Sequence, residues 1–138
     1  MTSILLPVVV LMLITMLVWL NMFIKRVVAL NALNVDPQSI VTPEKLNAAL
    51  DDKVNAPANC FKNMFEIPVI FYALCIIIAM TGSVDELYSD LAWGFVGLRS
   101  VQAGIHCTYN RVMHRFYSYI ASSVLLWIML VRFFLALV

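Results

Sequence analysis

The sequence predicts an all-α integral membrane protein, built as an up-down-up-down bundle of four transmembrane helices. Of its 138 residues, 63% are hydrophobic and only 12% are charged, and the mean hydropathy is +0.93. This composition is far more apolar than a soluble domain of similar length needs. Four apolar runs are each long enough to cross ~30 Å of hydrocarbon at ~1.5 Å per residue. The second and third connections are short, which makes the helices they join antiparallel neighbours.

The four apolar runs define the predicted helices in chain order. They extend roughly from Ile4 to Phe23, from Phe61 to Thr81, from Leu87 to Tyr109 and from Phe116 to Val138. With flanking residues, one domain covering residues 1–138 is predicted to have spans at about 4–31, 59–81, 87–110 and 115–138. The first run follows no basic segment and ends at Lys25-Arg26 rather than at a small-residue cleavage site. We therefore interpret it as a retained span and not as a signal peptide.

The charges of the connections predict the orientation of the helices. The first connection, about residues 25–60, is long and basic, with Lys25, Arg26, Lys45 and Lys53. Thr42-Pro43 predicts a short capped helix within it. The second connection is the acidic turn "TGSVDE", and the third carries Arg111 and Arg115. By the positive-inside rule, the first and third connections are expected in the cytoplasm and both termini on the opposite side.

Charge, cysteine and histidine content argue against several other classes of protein. The formal net charge is only +1, from nine cations and eight acids, so no basic surface for nucleic acid is expected. Cys60, Cys75 and Cys107 lack CxxC spacing and are interpreted as small buried apolar residues. His106 and His114 have no further ligands at metal-binding spacing, so no metal site is predicted.

Polar residues at helical spacing form a stripe on each of three predicted spans. The third span carries Arg99, Gln102 and His106 on one face, followed one turn later by Asn110. The second carries Asn59, Asn63 and Glu66, with Lys62 alongside. The fourth carries Arg115, Tyr119 and Ser122. Three helices therefore each direct a polar stripe toward something other than lipid.

Two charged residues, Glu66 and Arg99, are predicted to lie within the membrane, where an ionised side chain costs ~3 kcal/mol on insertion scales. One interpretation is that they pair with each other and link the second helix to the third. That pairing does not account for the other polar residues, which lie toward the cytoplasmic half. Their number and shared level predict a polar ligand pocket that is open to the cytoplasm.

The polar motifs resemble those of one membrane protein family. "NxxExP" (Asn63, Glu66, Pro68) precedes Arg99, which is followed by "NxxxxRxxxY" (Asn110, Arg115, Tyr119). In this order and spacing they resemble the MAPEG superfamily, the membrane-associated proteins in eicosanoid and glutathione metabolism. The resemblance covers essentially the whole chain. It implies a homotrimer of four-helix subunits that binds glutathione at each subunit interface, near the cytoplasmic face.

The resemblance also implies roles for individual residues. Asn63 and Glu66 are expected to hold the peptide backbone and amino group of glutathione, and Lys62 a carboxylate. Gln102 and His106 are expected to line the wall formed by the third helix. Arg26 of a neighbouring subunit is expected to contact a carboxylate, and Asn59 stands where eicosanoid-making relatives carry an arginine. His106 likewise stands where those relatives tend to place a tyrosine. Arg99 and Asn110 are interpreted as structural polar residues.

Arg115 and Tyr119 are the predicted catalytic residues. The reactive form of a thiol is the thiolate, and an arginine in a partly desolvated site favours it because the guanidinium stays protonated. We therefore expect Arg115 to lie against the glutathione sulfur, with Tyr119 beside it. Glutathione carries two carboxylates and one ammonium, which matches a site with several cations and Glu66.

The sequence thus favours a membrane-bound enzyme similar to glutathione transferases and peroxidases, which acts on lipophilic electrophiles or hydroperoxides. One alternative is a non-catalytic member of the same fold that binds a lipid or a protein. A second is a small proton-coupled transporter that uses Glu66, Arg99 and His106. The transporter is disfavoured because the sequence has neither an inverted repeat nor a broken-helix signal. Expected partners are further copies of the chain, membrane lipids and a lipophilic substrate.

Overall fold

The computed structural model describes residues 2–138, which form helices and no strand. In chain order the elements are α1 (Thr2–Leu33), a 3-10 turn (Pro37–Ile40), α2 (Pro43–Ala49), α3 (Asp52–Asn63), α4 (Ile67–Met80), α5 (Glu86–Cys107) and α6 (Val112–Leu137). The expected short helix in the first connection is confirmed as α2. Its N-terminal cap is Thr42, whose hydroxyl accepts a hydrogen bond from the backbone N–H of Lys45 at 3.4 Å.

Three described segments are long and apolar enough to cross a membrane. They are Ile4–Leu33, Asp52–Met80 and Val112–Leu137. Helix α5 corresponds to the third predicted span and has 22 residues, which is enough for ~33 Å at the usual helical rise. It is not apolar enough to be counted with the others, because Arg99, Gln102 and His106 interrupt its sequence.

The second predicted span is two helices rather than one. Helix α3 ends at Asn63, and α4 begins at Ile67. Pro68 has no N–H to donate to the carbonyl of Met64, so the α-helical pattern cannot continue through this segment. The backbone N–H groups of Phe65 and Glu66 instead bond three residues back, to Lys62 and Asn63. The expected Asn59-Asn63-Glu66 stripe is therefore interrupted before Glu66, which lies in the α3–α4 corner.

The apolar core occupies the end of the molecule nearest the α4–α5 turn. It is formed by the first half of α1, α4, the first half of α5 and the second half of α6. Phe71 and Phe95 stack at its centre with ring centroids 4.4 Å apart, and both side chains are fully buried. A smaller cluster of Val18, Cys60 and Ala103 lies toward the other end. We call these two regions the apolar end and the polar end, because the second also contains Arg99, Gln102 and His106.

Helix α5 is the central helix of the fold, because it packs against α6, α1 and α3. One face is buried along almost its whole length, from Tyr88 through Phe95 to His106. The outer faces of α1 and α6 instead expose large apolar side chains such as Leu17, Ile24, Ile128 and Phe134. This inside-out distribution suits a protein surrounded by lipid, where apolar side chains face outward and polar ones face protein.

An ion pair joins α5 to α6 at the apolar end. The carboxylate of Asp85 accepts hydrogen bonds from the guanidinium of Arg132, one of them from Nη1 at 2.9 Å. Asp85 also caps α5, because its Oδ1 accepts the backbone N–H of Tyr88 at 2.9 Å. The Arg132 guanidinium lies 4.2 Å from the centroid of the Tyr88 ring. The pair therefore fixes the start of α5 against the last turns of α6.

Acidification is expected to weaken this connection. The hydrogen bond from Arg132 lowers the pKa of Asp85 from its ordinary 3.8 to about 2, and the N–H of Tyr88 adds to the shift. Because the charged form is the paired form, its stabilisation is present above pH 3.8 and is lost as the pH falls through about 2. The effect is expected to be modest, since the pair is exposed to solvent.

Thermal unfolding of the detergent-solubilised protein, measured from pH ~7 down to pH ~2, tests this expectation. The control is Asp85→Asn, which keeps an N-cap side chain but not the charge. The wild type should melt at a higher temperature than Asp85→Asn at neutral pH, and the difference should shrink in acid. Parallel pH profiles for the two proteins would contradict the assignment.

Candidate functional site

The buried face of α5 supplies the centre of the polar end. Arg99, Gln102 and His106 lie one above the other at i, i+3 and i+7, and all three are buried. Nη1 of Arg99 donates a hydrogen bond of 2.7 Å to Oε1 of Gln102. The same guanidinium lies between two rings, 5.4 Å from the centroid of Phe95 and 4.9 Å from that of Tyr119. The predicted face is therefore present, and Arg99 connects it to α6.

The hypothesis that Arg99 pairs with Glu66 is wrong for the single chain. The hydrogen-bond acceptor of Arg99 is Gln102, three residues further along the same helix. Glu66 is exposed at the α3–α4 corner, close enough to Arg99 to act on it electrostatically. The helix break before Pro68 explains the difference, because it removes Glu66 from the helical register that directed it toward α5.

Arg115 and Asn110 form a second hydrogen-bonded pair, where the chain turns from α5 into α6. Nη1 of Arg115 donates to Oδ1 of Asn110 at 2.7 Å. Asn110 adopts a φ of +49°, a left-handed conformation that asparagine tolerates better than most residues. Its backbone N–H bonds to the carbonyl of Ile105 at 2.8 Å and so closes the end of α5. Asn110 therefore both makes the turn and orients the half-buried Arg115.

Tyr119 lies one helical turn after Arg115 on α6, and its side chain is half-buried. Its ring faces the Arg99 guanidinium. Its backbone carbonyl accepts hydrogen bonds from the hydroxyls of Ser122 at 2.8 Å and Ser123 at 2.9 Å. These two buried hydroxyls are thus satisfied within α6, and Ser122 belongs to the helix rather than to an open pocket.

The residues predicted on the second span lie at the outer edge of the polar end. Asn59, Lys62 and Glu66 are exposed, and Asn63 is half-buried. In the part of the chain that the structure describes, none of these four side chains is seen to make a hydrogen bond. Arg26 is also apart from the α5–α6 residues, since its Nη2 donates to Oδ1 of Asn47 on α2 at 3.1 Å. One chain therefore brings together the predicted residues of α5 and α6, but not those of α1 and α3.

The polar end is open rather than enclosed. A cavity of about 270 Å³ lies at its edge, between Lys25, Asp52, Lys53 and the Thr108–Asn110 turn. A second, of about 340 Å³, is a groove between α1 and α5. A third, of about 470 Å³, is an almost wholly apolar groove on α6 near Arg132. Arg99, Arg115 and Tyr119 are not among the residues that line these three cavities. Arg99 is fully buried, while Arg115 and Tyr119 are half-buried and so reach the surface.

The polar end is cationic and has nitrogen atoms that lack hydrogen-bond partners. Arg115 lies near enough to His106 for its charge to act on the imidazole. Nε and Nη2 of Arg99 and Nδ1 of His106 are buried and have no hydrogen-bond partner among residues 2–138, which the structure describes. Buried polar atoms of this kind almost always have a partner in a complete structure. The arrangement can therefore accept a polar ligand, with anionic or carbonyl oxygens facing Arg99.

A pair of thiols is the feature that sequence analysis missed. Cys60 on α3 and Cys107 at the end of α5 are 47 positions apart in sequence, yet Cys107 packs against the cluster that Cys60 forms with Val18 and Ala103. Both were interpreted as isolated small apolar residues. Their spacing carries no motif, because the contact depends on how α3 packs against α5.

Comparison with known proteins identifies the family of the chain. The model of the MAPEG family matches residues 4–135. Neither the curated proteins nor the solved structures contain a match to the chain. The family match includes every predicted site residue, from Arg26 to Tyr119, and supports the resemblance on which their roles were assigned. With its apolar helices and with this match over nearly its whole length, the chain is a membrane protein that belongs to the MAPEG family.

Proposed function

We propose that the protein is a membrane-bound glutathione transferase or peroxidase, which activates the glutathione thiol for attack on lipophilic electrophiles or hydroperoxides. The observation that carries the proposal is the free hydrogen-bonding capacity of the buried α5 face. Arg99 and His106 have three buried nitrogen atoms without a hydrogen-bond partner in the described part of the chain. Membership of a family concerned with glutathione and eicosanoid metabolism makes glutathione the first ligand to test.

The charges around the polar end suit glutathione. The tripeptide has two carboxylates, one ammonium and several amide groups, so its site needs cations, one acid and hydrogen-bond donors. Lys62, Arg99 and Arg115 are the cations, and Glu66 is the acid, with exposed or unused polar atoms available on each of them. Asn59, Asn63 and Gln102 add amide groups. The residue types present therefore fit the ligand.

Arg115 is assigned the role of stabilising the thiolate. When bound, glutathione supplies the nucleophilic sulfur. Arg115 uses only one of its five N–H groups on Asn110, which leaves the rest of its planar fork free to face the sulfur. Asn110 acts as a positioning residue, because it holds that fork in place. Tyr119 lies on the same face of α6 and can donate its hydroxyl proton in a hydrogen bond to the sulfur.

We propose that the active assembly is a homotrimer with its sites between subunits. Asn59, Lys62 and Glu66 are exposed in one chain, and exposed charges near a membrane are costly unless a partner or water satisfies them. A second copy placed against α3, α5 and α6 would close the open side of the polar end. In that arrangement Arg26 comes from the neighbouring subunit, still oriented by Asn47 as in the single chain.

Native mass spectrometry in mild detergent is expected to show trimers of the 15.6 kDa chain. The physical reason is that a second copy of the chain would cover the exposed side of the polar site. Lys62→Glu reverses a charge at the expected interface and should shift the population toward monomer. A wild-type monomer that binds glutathione as tightly as any larger species would contradict the interfacial site.

The proposed topology has four membrane spans, namely α1, α3 with α4, α5 and α6, and α5 is the third of them despite its polar face. The loops that carry Lys45 and Arg111 are assigned to the cytoplasm, together with the polar end, and both termini to the other side. Glutathione then enters from the aqueous side. A lipophilic second substrate reaches the sulfur through the bilayer, along the outward-facing apolar surface.

A conjugation assay with a generic electrophile tests the proposed function. Purified protein, reconstituted in nanodiscs, is mixed with glutathione and 1-chloro-2,4-dinitrobenzene, and the rate is compared with that of empty nanodiscs. The proposal predicts saturable turnover that depends on both substrates. Binding of glutathione without turnover of this electrophile or of cumene hydroperoxide would instead favour the alternative, a non-catalytic scaffold that binds a lipid or a protein.

A further inference from the structure

The two neighbouring thiols of the polar end differ in their access to the surface. Cys60 is buried at 2% exposure, within the small cluster that it forms with Val18 and Ala103. Its Sγ lies 4.0 Å from the backbone carbonyl oxygen of Ala103, one helical turn before Cys107 on the same face of α5. Cys107 is half-buried and packs against this cluster. Cys60 is therefore enclosed, whereas Cys107 is partly accessible.

Cys107 opens into the groove of about 340 Å³ between α1 and α5. The groove is lined by Ile14, Leu17, Val18 and Asn21 of α1 and by Ser100, Ala103, Gly104 and Cys107 of α5. Its deeper part is apolar, while Asn21 and Cys107 supply polar atoms at the other end. Asn21 and Cys107 line the same groove, and Lys25 lies close enough for its charge to act on the thiol.

We infer that Cys107 and Cys60 form a dithiol site that reduces lipid hydroperoxides without glutathione, with Cys107 as the attacking and Cys60 as the resolving cysteine. This site is separate from the proposed glutathione site, because it uses the α1–α5 groove rather than the Arg115–Tyr119 surface. The groove matches the substrate class. Its apolar walls can hold an acyl chain, and the amide of Asn21 can bind the peroxide oxygens beside the sulfur.

The chemistry balances without a further reactant. The thiolate of Cys107 attacks the terminal oxygen of the hydroperoxide, the O–O bond breaks, and the alkoxide takes a proton to leave as the alcohol. Cys107 is thereby oxidised by two electrons to the sulfenic acid. The sulfur of Cys60 then attacks that of Cys107, the S–O bond breaks, and hydroxide leaves as water with the Cys60 proton. One hydroperoxide and two thiols give one alcohol, one water and one disulfide.

The resulting disulfide would link α3 to α5 until a thiol reductant reopens it by exchange. A disulfide at the cytoplasmic end of a membrane protein is expected to be transient in this way, because the cytoplasm is reducing. The third cysteine, Cys75, is fully buried in the apolar core and is not among the residues that line the groove. It therefore serves as an internal control.

The test is a stoichiometric oxidation in the absence of glutathione. The reduced protein in nanodiscs receives one equivalent of cumene hydroperoxide per chain. We expect one equivalent of cumyl alcohol, loss of two of the three thiols, and a peptide map that joins Cys60 to Cys107. Three thiols retained without alcohol formation, or a disulfide that contains Cys75, would overturn the proposal.

Three variants distinguish this site from unspecific oxidation. Cys75→Ala should react as the wild type does, and Cys107→Ala should lose the reaction. Cys60→Ser should still form one equivalent of alcohol but stop at a sulfenic acid, which dimedone traps on Cys107. Alcohol formation at the wild-type rate in Cys107→Ala would contradict the assignment. Because glutathione is absent throughout, these outcomes do not depend on the function proposed for Arg115.

Discussion

Replacing Arg115 by alanine is expected to lower the rate of glutathione conjugation by ~10- to 1,000-fold at saturating glutathione, the range for loss of one charged transition-state contact. The guanidinium is half-buried and held by Asn110 at 2.7 Å, so its field on a nearby sulfur is only partly screened. Binding of glutathione should weaken only modestly, since Lys62 and Arg99 remain. The pKa of the bound thiol should rise, as measured from the pH dependence of the rate.

Two further variants separate catalysis from membrane anchoring. An arginine at a membrane interface can serve only to contact lipid headgroups, and Arg115→Lys keeps that charge while it loses the planar fork. Asn110→Gly keeps the left-handed backbone at φ +49° but removes the acceptor that orients Arg115. Both variants should fall between wild type and Arg115→Ala in rate. Equal conjugation rates in wild type and Arg115→Ala would show that Arg115 only anchors the helix at the membrane interface.

Replacing Arg99 by leucine is expected to destabilise the protein by ~1–3 kcal/mol, the cost of leaving a buried acceptor unpaired. That acceptor is Oε1 of Gln102. The variant also loses the contacts of the guanidinium with Phe95 and Tyr119. Thermal unfolding and the yield of assembled protein measure this effect. In the conjugation assay, KM for glutathione should rise, because the free Nε and Nη2 are lost, while the rate at saturation changes less than in Arg115→Ala.

The double variant Arg99→Leu/Gln102→Leu is the control for this interpretation. It removes donor and acceptor together, and such replacements are often neutral or stabilising. Most of the stability lost in Arg99→Leu should therefore return, whereas the weaker binding of glutathione should not. If Arg99→Leu unfolds as the wild type does but fails to form the bound thiolate, then Arg99 rather than Arg115 lies against the sulfur.

Local sequence patterns predicted α2 and the buried face of α5. The spacing of Arg99, Gln102 and His106 placed them on one side of one helix, and all three are buried there. Thr42-Pro43 predicted α2 because capping depends only on neighbouring residues. Asn110 and Arg115 are five positions apart across a turn, and their hydrogen bond follows from that turn.

Features that depend on packing between distant segments could not be predicted in this way. The packing of Cys107 against the cluster of Cys60 requires α3 to lie against α5, which no periodicity encodes. The sequence did not decide whether Arg99 donates its hydrogen bond to Glu66 or to another group, because it did not show the α3–α4 corner. Pro68 indicates that corner, because proline interrupts a helix. The hydropathy of residues 59–81 shows no break and therefore predicts one continuous span. Closure of the site by a second subunit also depends on packing between distant surfaces, so the sequence pattern does not predict its contacts.

An ultraviolet titration of the purified protein with glutathione at neutral pH detects the absorbance of the bound thiolate. We expect a saturable thiolate signal in the wild type, with at most one thiolate per subunit. The signal should be strongly reduced in Arg115→Ala and retained in Cys107→Ala, whose missing thiol lies outside the glutathione site. A wild-type protein that binds glutathione, as shown by calorimetry, without any thiolate signal would contradict the claim that the polar end activates this thiol.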